Sequence, residues 1–318
     1  MKLATRDGFG KAICELGVDE RIVVLAASVG DSTRAYKFRE KFPARYIEAG
    51  IAEQNMIGMA SGLALGGMVP FATSFCTFLP GRCYDQIRQS VCYSNLNVKL
   101  VATHAGITVG ADGATHQMME DLAMLRALPG LTIMVPADSL EAEKATLAAA
   151  KIRGPCYLRL SREPLPLLKG DATFEVGKAQ TLREGSDVTI AACGIMTYYA
   201  LLAAETLAAS GISARVLNVH TLKPIDAVAL ERAARETGGI VTAEEHQVIG
   251  GLGSAVAETL AERYPVPVRR VGMLDRFGES GQPAELLQKH GMTADAIVHA
   301  AKELLWKKPL PETAREAD

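Results

Sequence analysis

One glutamate, Glu53, lies inside an apolar, glycine-rich stretch between residues 45 and 67, RYIEAGIAEQNMIGMASGLALGG. A carboxylate in such surroundings is costly to bury unless a partner shares or accepts its proton. A glutamate in the first turn of a helix is also stabilised by the helix dipole alone. The residue therefore fits either proton-sharing chemistry or a structural role at a helix N-terminus.

The same stretch contains three glycines, Gly58, Gly62 and Gly66, that recur every four residues. This spacing puts them on one face of a helix, where each glycine costs about 1 kcal/mol relative to alanine. The repetition indicates that another surface packs very close to this face.

Two histidines, His104 and His116, frame a glycine-rich segment, HAGITVGADGATH, with Asp112 between them. Histidine and aspartate side chains on such a loop could hold a metal or relay protons, or could simply be solvated. The segment follows the apolar run VKLVAT, which favours a position at the end of a buried strand.

Arginines and aromatic rings provide further candidates. Arg6, Arg82 and Arg162 could each bind a phosphate through two hydrogen bonds, although a surface salt bridge is the ordinary role of an arginine. Phe75 and Phe78 are notable because only 5% of the residues are aromatic. Two such rings form core more often than a platform for a flat cofactor, and both interpretations stay open.

The elements that must position these residues are short apolar strands alternating with helices between residues 22 and 162. This alternation predicts a parallel sheet covered by helices on both faces. Ligands of such sheets bind beyond the carboxyl ends of the strands. The candidates that directly follow predicted strands are Asp31, Glu53, Phe75, Phe78, His104 and Arg162.

A second alternating unit follows a segment rich in prolines and charges. We expect two α/β domains. Their predicted bounds are residues 1–165 for the first domain, 166–185 for a linker, 186–306 for a smaller second domain and 307–318 for a disordered tail. A short extended pair is expected within the linker, near residues 174–182.

Composition excludes several classes of protein. The net charge of −2 provides no electrostatic footprint for nucleic acid or an anionic membrane, and no apolar run is long enough to span a bilayer. The six cysteines form no CxxC pair and no zinc-site spacing, so we expect reduced, packed thiols. The N-terminus lacks the apolar core of a signal peptide, and a cytoplasmic protein is expected.

Four long motifs closely resemble the C-terminal half of transketolase: GIAEQNMIGMASGLALGGMVPF, FCTFLPGRCYDQIRQSV, HAGITVGADGATHQMMEDLAMLR and VPADSLEAEKA. The resemblance runs from ATRDGFGKA near the start to LDRFGESG near the end. It implies a thiamine diphosphate enzyme with a pyrimidine-binding domain followed by a transketolase C-terminal domain. The domain that holds the diphosphate and Mg²⁺ precedes these two in full-length enzymes.

The resemblance also implies an assembly. The chain would be a separate C-terminal subunit that needs an N-terminal transketolase subunit as its partner. It would self-associate as the homodimer core of a heterotetramer, and the partner would hold the metal, with no metal ligand in this chain.

Roles near the cofactor follow from the resemblance as well. Glu53 would hydrogen-bond the pyrimidine nitrogen of thiamine diphosphate and so drive catalysis. Phe75 and Phe78 would surround the pyrimidine ring. Asp31 would lie near the cofactor at the subunit interface.

Roles near the substrate, a sugar phosphate, are implied in the same way. His104 and His116 would hydrogen-bond the sugar and assist proton transfer. Asp112 would recognise a sugar hydroxyl, and Arg6 and Arg162 would bind the sugar phosphate.

The implied reaction transfers a two-carbon ketol unit from a ketose phosphate to an aldose phosphate, as in the pentose phosphate pathway. The sequence departs from many transketolases at Ala52, Gln54 and Ala35, the last replacing a phosphate-binding serine. The Ala-Glu-Gln form is similar to 1-deoxyxylulose-5-phosphate synthase. A subunit of a synthase-like enzyme and a non-catalytic regulatory subunit therefore remain alternatives.

Overall fold

The computed structural model describes residues 2–168 and 174–306. The predicted tail and the central part of the predicted linker lie outside the described residues. Strands and helices alternate along the first half, in this order: β1 (Lys2–Leu3), α1 (Thr5–Leu16), β2 (Ile22–Ala26), α2 (Gly30–Thr33), α3 (Tyr36–Lys41), β3 (Tyr46–Glu48), α4 (Glu53–Leu65), β4 (Val69–Phe75), α5 (Leu79–Gln86), β5 (Lys99–Thr103), α6 (Asp121–Arg126), β6 (Thr132–Met134), α7 (Ser139–Lys151), β7 (Cys156–Arg159) and β8 (Leu165–Pro166).

The second half continues the alternation. Its elements are β9 (Gln180–Arg183), β10 (Val188–Ala192), α8 (Met196–Ala209), β11 (Ala214–Asn218), β12 (Thr221–Lys223), α9 (Ala227–Thr237), β13 (Ile240–Gln247), α10 (Leu252–Arg263), β14 (Val268–Met273), α11 (Pro283–Lys289) and α12 (Ala294–Trp306). The predicted two-domain α/β fold with parallel sheets is confirmed. The exact domain boundaries stay predictions.

The first sheet contains seven strands in the order β12-β6-β7-β5-β4-β2-β3. Strands β2 to β7 pair in parallel, and their apolar residues are buried on both faces, as IVVLA in β2 illustrates. Parallel pairing brings the carboxyl ends of β2, β4, β5 and β7 to one edge. This edge carries the candidate functional residues.

The second sheet contains five strands in the order β14-β13-β10-β11-β9. Strand β9 lies within the segment predicted as a linker, and it pairs antiparallel with β11. The predicted extended pair near residues 174–182 was therefore wrong. A single edge strand of the second sheet is present instead, because β11 offers an open edge.

One strand crosses between the halves. Strand β12 follows β11 in sequence, yet it pairs antiparallel with β6 and becomes the edge of the first sheet. The largest apolar cluster likewise joins the two halves, since it includes Leu100 and Ile133 together with Leu217 and Leu252. The two halves therefore share one continuous core.

The side chains include a cap at the start of α7 and the packed, unpaired cysteines that the sequence predicts. Asp138 caps α7 by accepting a hydrogen bond from the Glu141 amide at 2.8 Å. All six cysteines are free, and all but Cys14 are buried. Among the described residues, no helix is both long and apolar enough to cross a membrane.

Candidate active site

Glu53 begins α4 directly after a turn in which Gly50 adopts a φ of +73°. The carboxylate is buried, with 4% of its side chain exposed, and both of its oxygens accept hydrogen bonds from Arg82 Nη1, at 3.1 and 2.9 Å. The Arg82 guanidinium lies 4.1 Å from the centre of the Phe78 ring. Glu53 is thus charge-paired within its own chain, and it lines a cavity of about 470 Å³ together with its neighbours in residues 51–55 and Arg82.

Four rings form what we call the aromatic cluster: Phe75, Phe78, His104 and His116. The ring centres of Phe75 and Phe78 are 5.6 Å apart in a stacked arrangement, and those of Phe75 and His104 are 3.9 Å apart. His116 meets the Phe78 ring edge-on at 5.3 Å. The cluster arises because β4 and β5 are neighbours, so Phe75 and His104 meet where these strands end.

His104 is held in one protonation state. Its Nε2 lies 3.2 Å from Arg6 Nη1, and its Nδ1 lies 2.8 Å from Thr103 Oγ1. Because a guanidinium only donates, Nε2 must accept and Nδ1 must carry the proton. Burial, followed by the charges of Arg6 and Arg162, lowers the pKa of His104 to about 3. The ring is therefore neutral at physiological pH.

The backbone at His104 is also unusual, with a φ of +60°. A non-glycine residue in the left-handed region carries local strain, and such residues cluster at functional sites. This backbone conformation turns the chain out of β5. The segment that begins here, residues 104–118, is what we call the histidine loop.

A cationic region surrounds His104. Burial and the neighbouring charges of Arg34 and Arg162 lower the pKa of Arg6. Arg6 Nη1 donates to the Ser32 carbonyl at 2.9 Å, but its Nε is buried and has no hydrogen-bond partner among the described residues. A buried unpaired donor beside like charges is a position where an anion would be stabilised.

Arg162 anchors the histidine loop. Its Nη1 donates to Asp112 at 2.7 Å, and its Nη2 donates to the Val109 carbonyl. His116 lies farther along the loop and pairs with the Thr115 hydroxyl through Nδ1 at 3.0 Å. The structure therefore brings Arg6, His104, Asp112 and Arg162 together, with the aromatic cluster beside them.

Asp31 does not join this group through any described contact. Its side chain is 79% exposed and pairs with Arg39 at 3.1 Å. On α4, Gly58 and Gly62 are exposed, and an added Cβ at either would meet no atom within 4 Å. Among the described residues nothing packs against the glycine face, so its predicted close contact stays a prediction about another surface.

Two site residues were missed at the level of sequence. Glu245 and Gln117 are buried, and both form hydrogen bonds with the backbone of the histidine loop. A signal for Glu245 was present, since β13 reads IVTAEEHQ and places adjacent carboxylates in an apolar strand. The described residues contain no group of three or more histidine, cysteine or acidic side chains arranged to hold a metal.

Comparison with known protein families shows to which family the chain belongs. Residues 1–166 match the transketolase pyrimidine-binding domain, and residues 177–297 match the transketolase C-terminal domain. The chain belongs to the transketolase family. Its sequence motifs and its two-domain fold agree with this membership.

Several transketolase relatives are separate subunits. The chain is 49% identical to a 6-deoxy-6-sulfo-D-fructose transketolase subunit of Clostridium sp. (strain MSTE9), covering 91% of this chain and 90% of that protein. It is 37% identical to an apulose-4-phosphate transketolase subunit of Phocaeicola vulgatus, covering 96% of this chain and 98% of that protein.

Solved transketolase structures are similar over almost all of the chain. A split-gene transketolase in an inactive β4 tetramer has a TM-score of 0.91 and 50% identity, covering 96% of this chain and 100% of that one. Transketolase from Campylobacter jejuni has a TM-score of 0.81 and 25% identity. The match covers 95% of this chain but 47% of the Campylobacter chain.

Proposed function

We propose that the chain is the C-terminal subunit of a split, thiamine-diphosphate-dependent transketolase. It would transfer a two-carbon ketol unit from a ketose phosphate to an aldose phosphate. The observation that carries this proposal is the buried carboxylate of Glu53 at the same sheet edge as the aromatic cluster and the Arg6 region, by which we mean Arg6, Arg34 and Arg162 around His104.

The residues of this edge fit the pyrimidine half of the cofactor. A buried carboxylate suits a ring nitrogen that shares a proton, and the flat faces of Phe75 and Phe78 suit an aromatic ring. When bound, thiamine diphosphate supplies the nucleophilic carbon that takes up the two-carbon unit. Glu53 would hold the shared proton at its carboxylate, while Phe75 and Phe78 would orient the ring and exclude water.

The Arg6 region fits the anionic end of a sugar. Arg6 has a buried Nε donor that lacks a hydrogen-bond partner among the described residues, and Arg162 adds a second charge. His104 would offer a neutral ring, so it orients a sugar oxygen by hydrogen bonding rather than as a permanent acid. His116 and Asp112 on the histidine loop would contact sugar hydroxyls, and His116 would assist proton transfer. Asp31 stays a proposed neighbour of the cofactor across a subunit interface.

We also propose an assembly of two chain types. An N-terminal transketolase subunit would hold the diphosphate and Mg²⁺, and this chain would form the homodimeric core of a heterotetramer. The relatives that are separate subunits, and the β4 tetramer of a split-gene transketolase, support this proposal. The exposed glycine face of α4 is a surface suited to close approach.

The test is ketol transfer from xylulose 5-phosphate to ribose 5-phosphate, with thiamine diphosphate and Mg²⁺ present. The chain is assayed alone and with the protein encoded beside it, and activity is expected only in the mixture. Activity of the chain alone would contradict the split-subunit proposal. Release of carbon dioxide from pyruvate, without ketol transfer, would support the synthase-like alternative.

Glu53→Gln tests the catalytic assignment in the same assay. Loss of the shared proton is expected to lower activity by roughly 100-fold or more. Glu205→Gln removes the same charge from an exposed position on α8 and is the matched control. Full activity of Glu53→Gln would refute the role of this carboxylate.

A further inference from the structure

The histidine loop belongs to the first domain, but part of what holds it comes from the second. Its residue Thr108 donates its backbone amide to Glu245 Oε1 at 2.7 Å, across 137 positions of sequence. Glu245 lies near the end of β13 in the second sheet and is buried. The second domain therefore reaches into the loop that carries His104, Asp112 and His116.

The fit between the Glu245 side chain and the loop is tight. A Cβ added at Gly106 would lie 2.1 Å from the Glu245 carboxyl carbon, so the loop backbone passes directly over this carboxylate. Gly106 also has a φ of +80°, which a side chain at this position would oppose. Both the lack of room for a side chain at Gly106 and its backbone conformation therefore let the loop pass close to Glu245.

Two further residues, Gln117 and Arg159, fix this arrangement. Gln117 Nε2 donates to the carbonyls of Ile107, Gly110 and Glu279, the last from the second domain, at 3.2, 3.1 and 2.9 Å. Arg159 Nη2 donates to the Met118 carbonyl at 3.2 Å and to the Glu245 carbonyl at 3.0 Å. The base of the loop and the backbone of β13 are therefore held at a fixed spacing.

We propose that Glu245 is a positioning residue for sugar binding, acting through the Thr108 amide to hold the histidine loop in its binding geometry. Glu245 itself touches neither the proposed cofactor site nor the Arg6 region through any described contact. The second domain thereby contributes to substrate selection. The kinetic part of this inference rests on the proposed function, whereas the loop-holding part does not.

The chain provides a matched neighbour for comparison. Glu244 precedes Glu245 on β13, and its carboxylate accepts hydrogen bonds from the Leu252 and Gly253 amides at the start of α10, at 2.6 and 2.8 Å. Successive side chains of a strand point to opposite faces, so Glu244 faces away from the loop. Both glutamates are buried, and of the two only Glu245 bonds the histidine loop among the described contacts.

The experiment compares Glu245→Ala, Glu245→Gln and Glu244→Ala in the full chain mixed with its partner. Glu245→Ala is expected to raise the KM for the sugar phosphates about 10- to 100-fold, with a smaller change in kcat and an unchanged Kd for thiamine diphosphate. Glu245→Gln retains an acceptor oxygen for Thr108 and is expected to restore most of the affinity. An equal rise in KM for Glu244→Ala would overturn the proposal, because it would indicate general destabilisation.

Hydrogen exchange in the full chain without its partner provides a readout independent of activity. Glu245→Ala is expected to speed exchange in peptides covering residues 104–118 and to leave those covering α4 unchanged. Unaltered loop exchange in Glu245→Ala would overturn the proposal. If the wild-type mixture transfers no ketol unit, the proposed function fails, and the exchange result still decides whether Glu245 holds the loop.

Discussion

Glu53 and Arg82 form a pair that any ligand of Glu53 must rearrange. The guanidinium bonds both carboxylate oxygens and covers the Phe78 ring, so it occupies the space on one side of the carboxylate. A ring nitrogen that shares a proton with Glu53 competes with this cation. If the pyrimidine binds at Glu53 as proposed, its binding would require the Arg82 side chain to move.

Replacing Arg82 is expected to destabilise the folded chain. Arg82→Ala leaves the buried Glu53 carboxylate without its cation, but 48% of the Arg82 side chain is exposed, so the loss is limited to about 1–2 kcal/mol. Urea unfolding at fixed protein concentration measures this change. A double-mutant cycle with Glu53→Gln isolates the pair, and a coupling energy near zero would argue against it.

His104 is expected to make stability depend on pH. Its folded pKa of about 3 lies below the ordinary value of 6.5, so the unfolded state binds more protons between these limits. The stability contributed by the neutral, buried His104 is fully present above pH 6.5 and is lost as the pH falls toward 3. His220 and His246, with pKa values lowered by burial to about 4, act in the same direction.

The variant His104→Asn isolates the part due to His104. Asparagine tolerates a positive φ and does not titrate, so stability should decline less steeply from pH 7 to pH 5 than in the wild type. Urea unfolding at each pH gives the two slopes. Identical slopes would mean that His104 is not buried in its neutral form.

At the scale of elements, α4 has one face inside the core and another that is open. Met56, Ile57 and Ala60 are buried, whereas Gly58 and Gly62 face outward with free space above them. Glycine in an exposed helix costs stability, and a surface that approaches from outside, as proposed, would account for its presence on this face.

Gly62→Ala is expected to stabilise the isolated chain by about 0.5–1 kcal/mol, because alanine has the higher helix propensity and meets no clash. Gly62→Trp is expected to weaken the proposed self-association instead. Urea unfolding checks the first expectation and sedimentation velocity the second. Wild-type association of the tryptophan variant would exclude this face from the subunit contact.

The regular elements could largely be predicted from sequence, for a physical reason. Strands β2, β4 and β5 are short apolar runs buried on both faces, and α7 carries its own Asp138 cap. The short helices α2 and α3 were missed because four to six residues are too few to display a helical period. Strand β12 could not be placed because its partner β6 is far away in sequence.

The candidate site likewise has features that the sequence predicts and features that it does not. Phe75 ends β4, while His104 and Arg162 follow β5 and β7, so the parallel sheet predicts their common edge. The pairing of Glu53 with Arg82 and of Thr108 with Glu245 depends on side-chain directions between distant segments, which no local pattern encodes. The roles of the predicted site residues remain predictions.

At the scale of the molecule, a buried charged network joins the two halves. Arg159 bonds both oxygens of Asp121, Tyr157 donates to Asp121 at 2.8 Å, and Arg159 also bonds the Glu245 carbonyl. Burial alone would raise the pKa of Asp121, yet the Arg159 charge lowers it overall. The interface between the halves is therefore specified by charge as well as by apolar packing.

Asp121→Asn is expected to lower the free energy of unfolding by about 3–5 kcal/mol, because it leaves the Arg159 charge buried without a counter-charge. The double variant Asp121→Leu/Arg159→Met removes both charges and is expected to lose less. Urea unfolding compares the two. A double variant less stable than Asp121→Asn would show that polar contacts, not an unpaired charge, dominate here.

Strand β12 has a consequence for the order in which the protein is made. The first sheet receives its last strand from residues 221–223, so it stays incomplete on the ribosome until synthesis has passed well into the second half. Until then the edge of β6 is open to pairing with other chains. A nascent chain stalled before residue 221 should therefore depend on chaperones in a way that the finished chain does not.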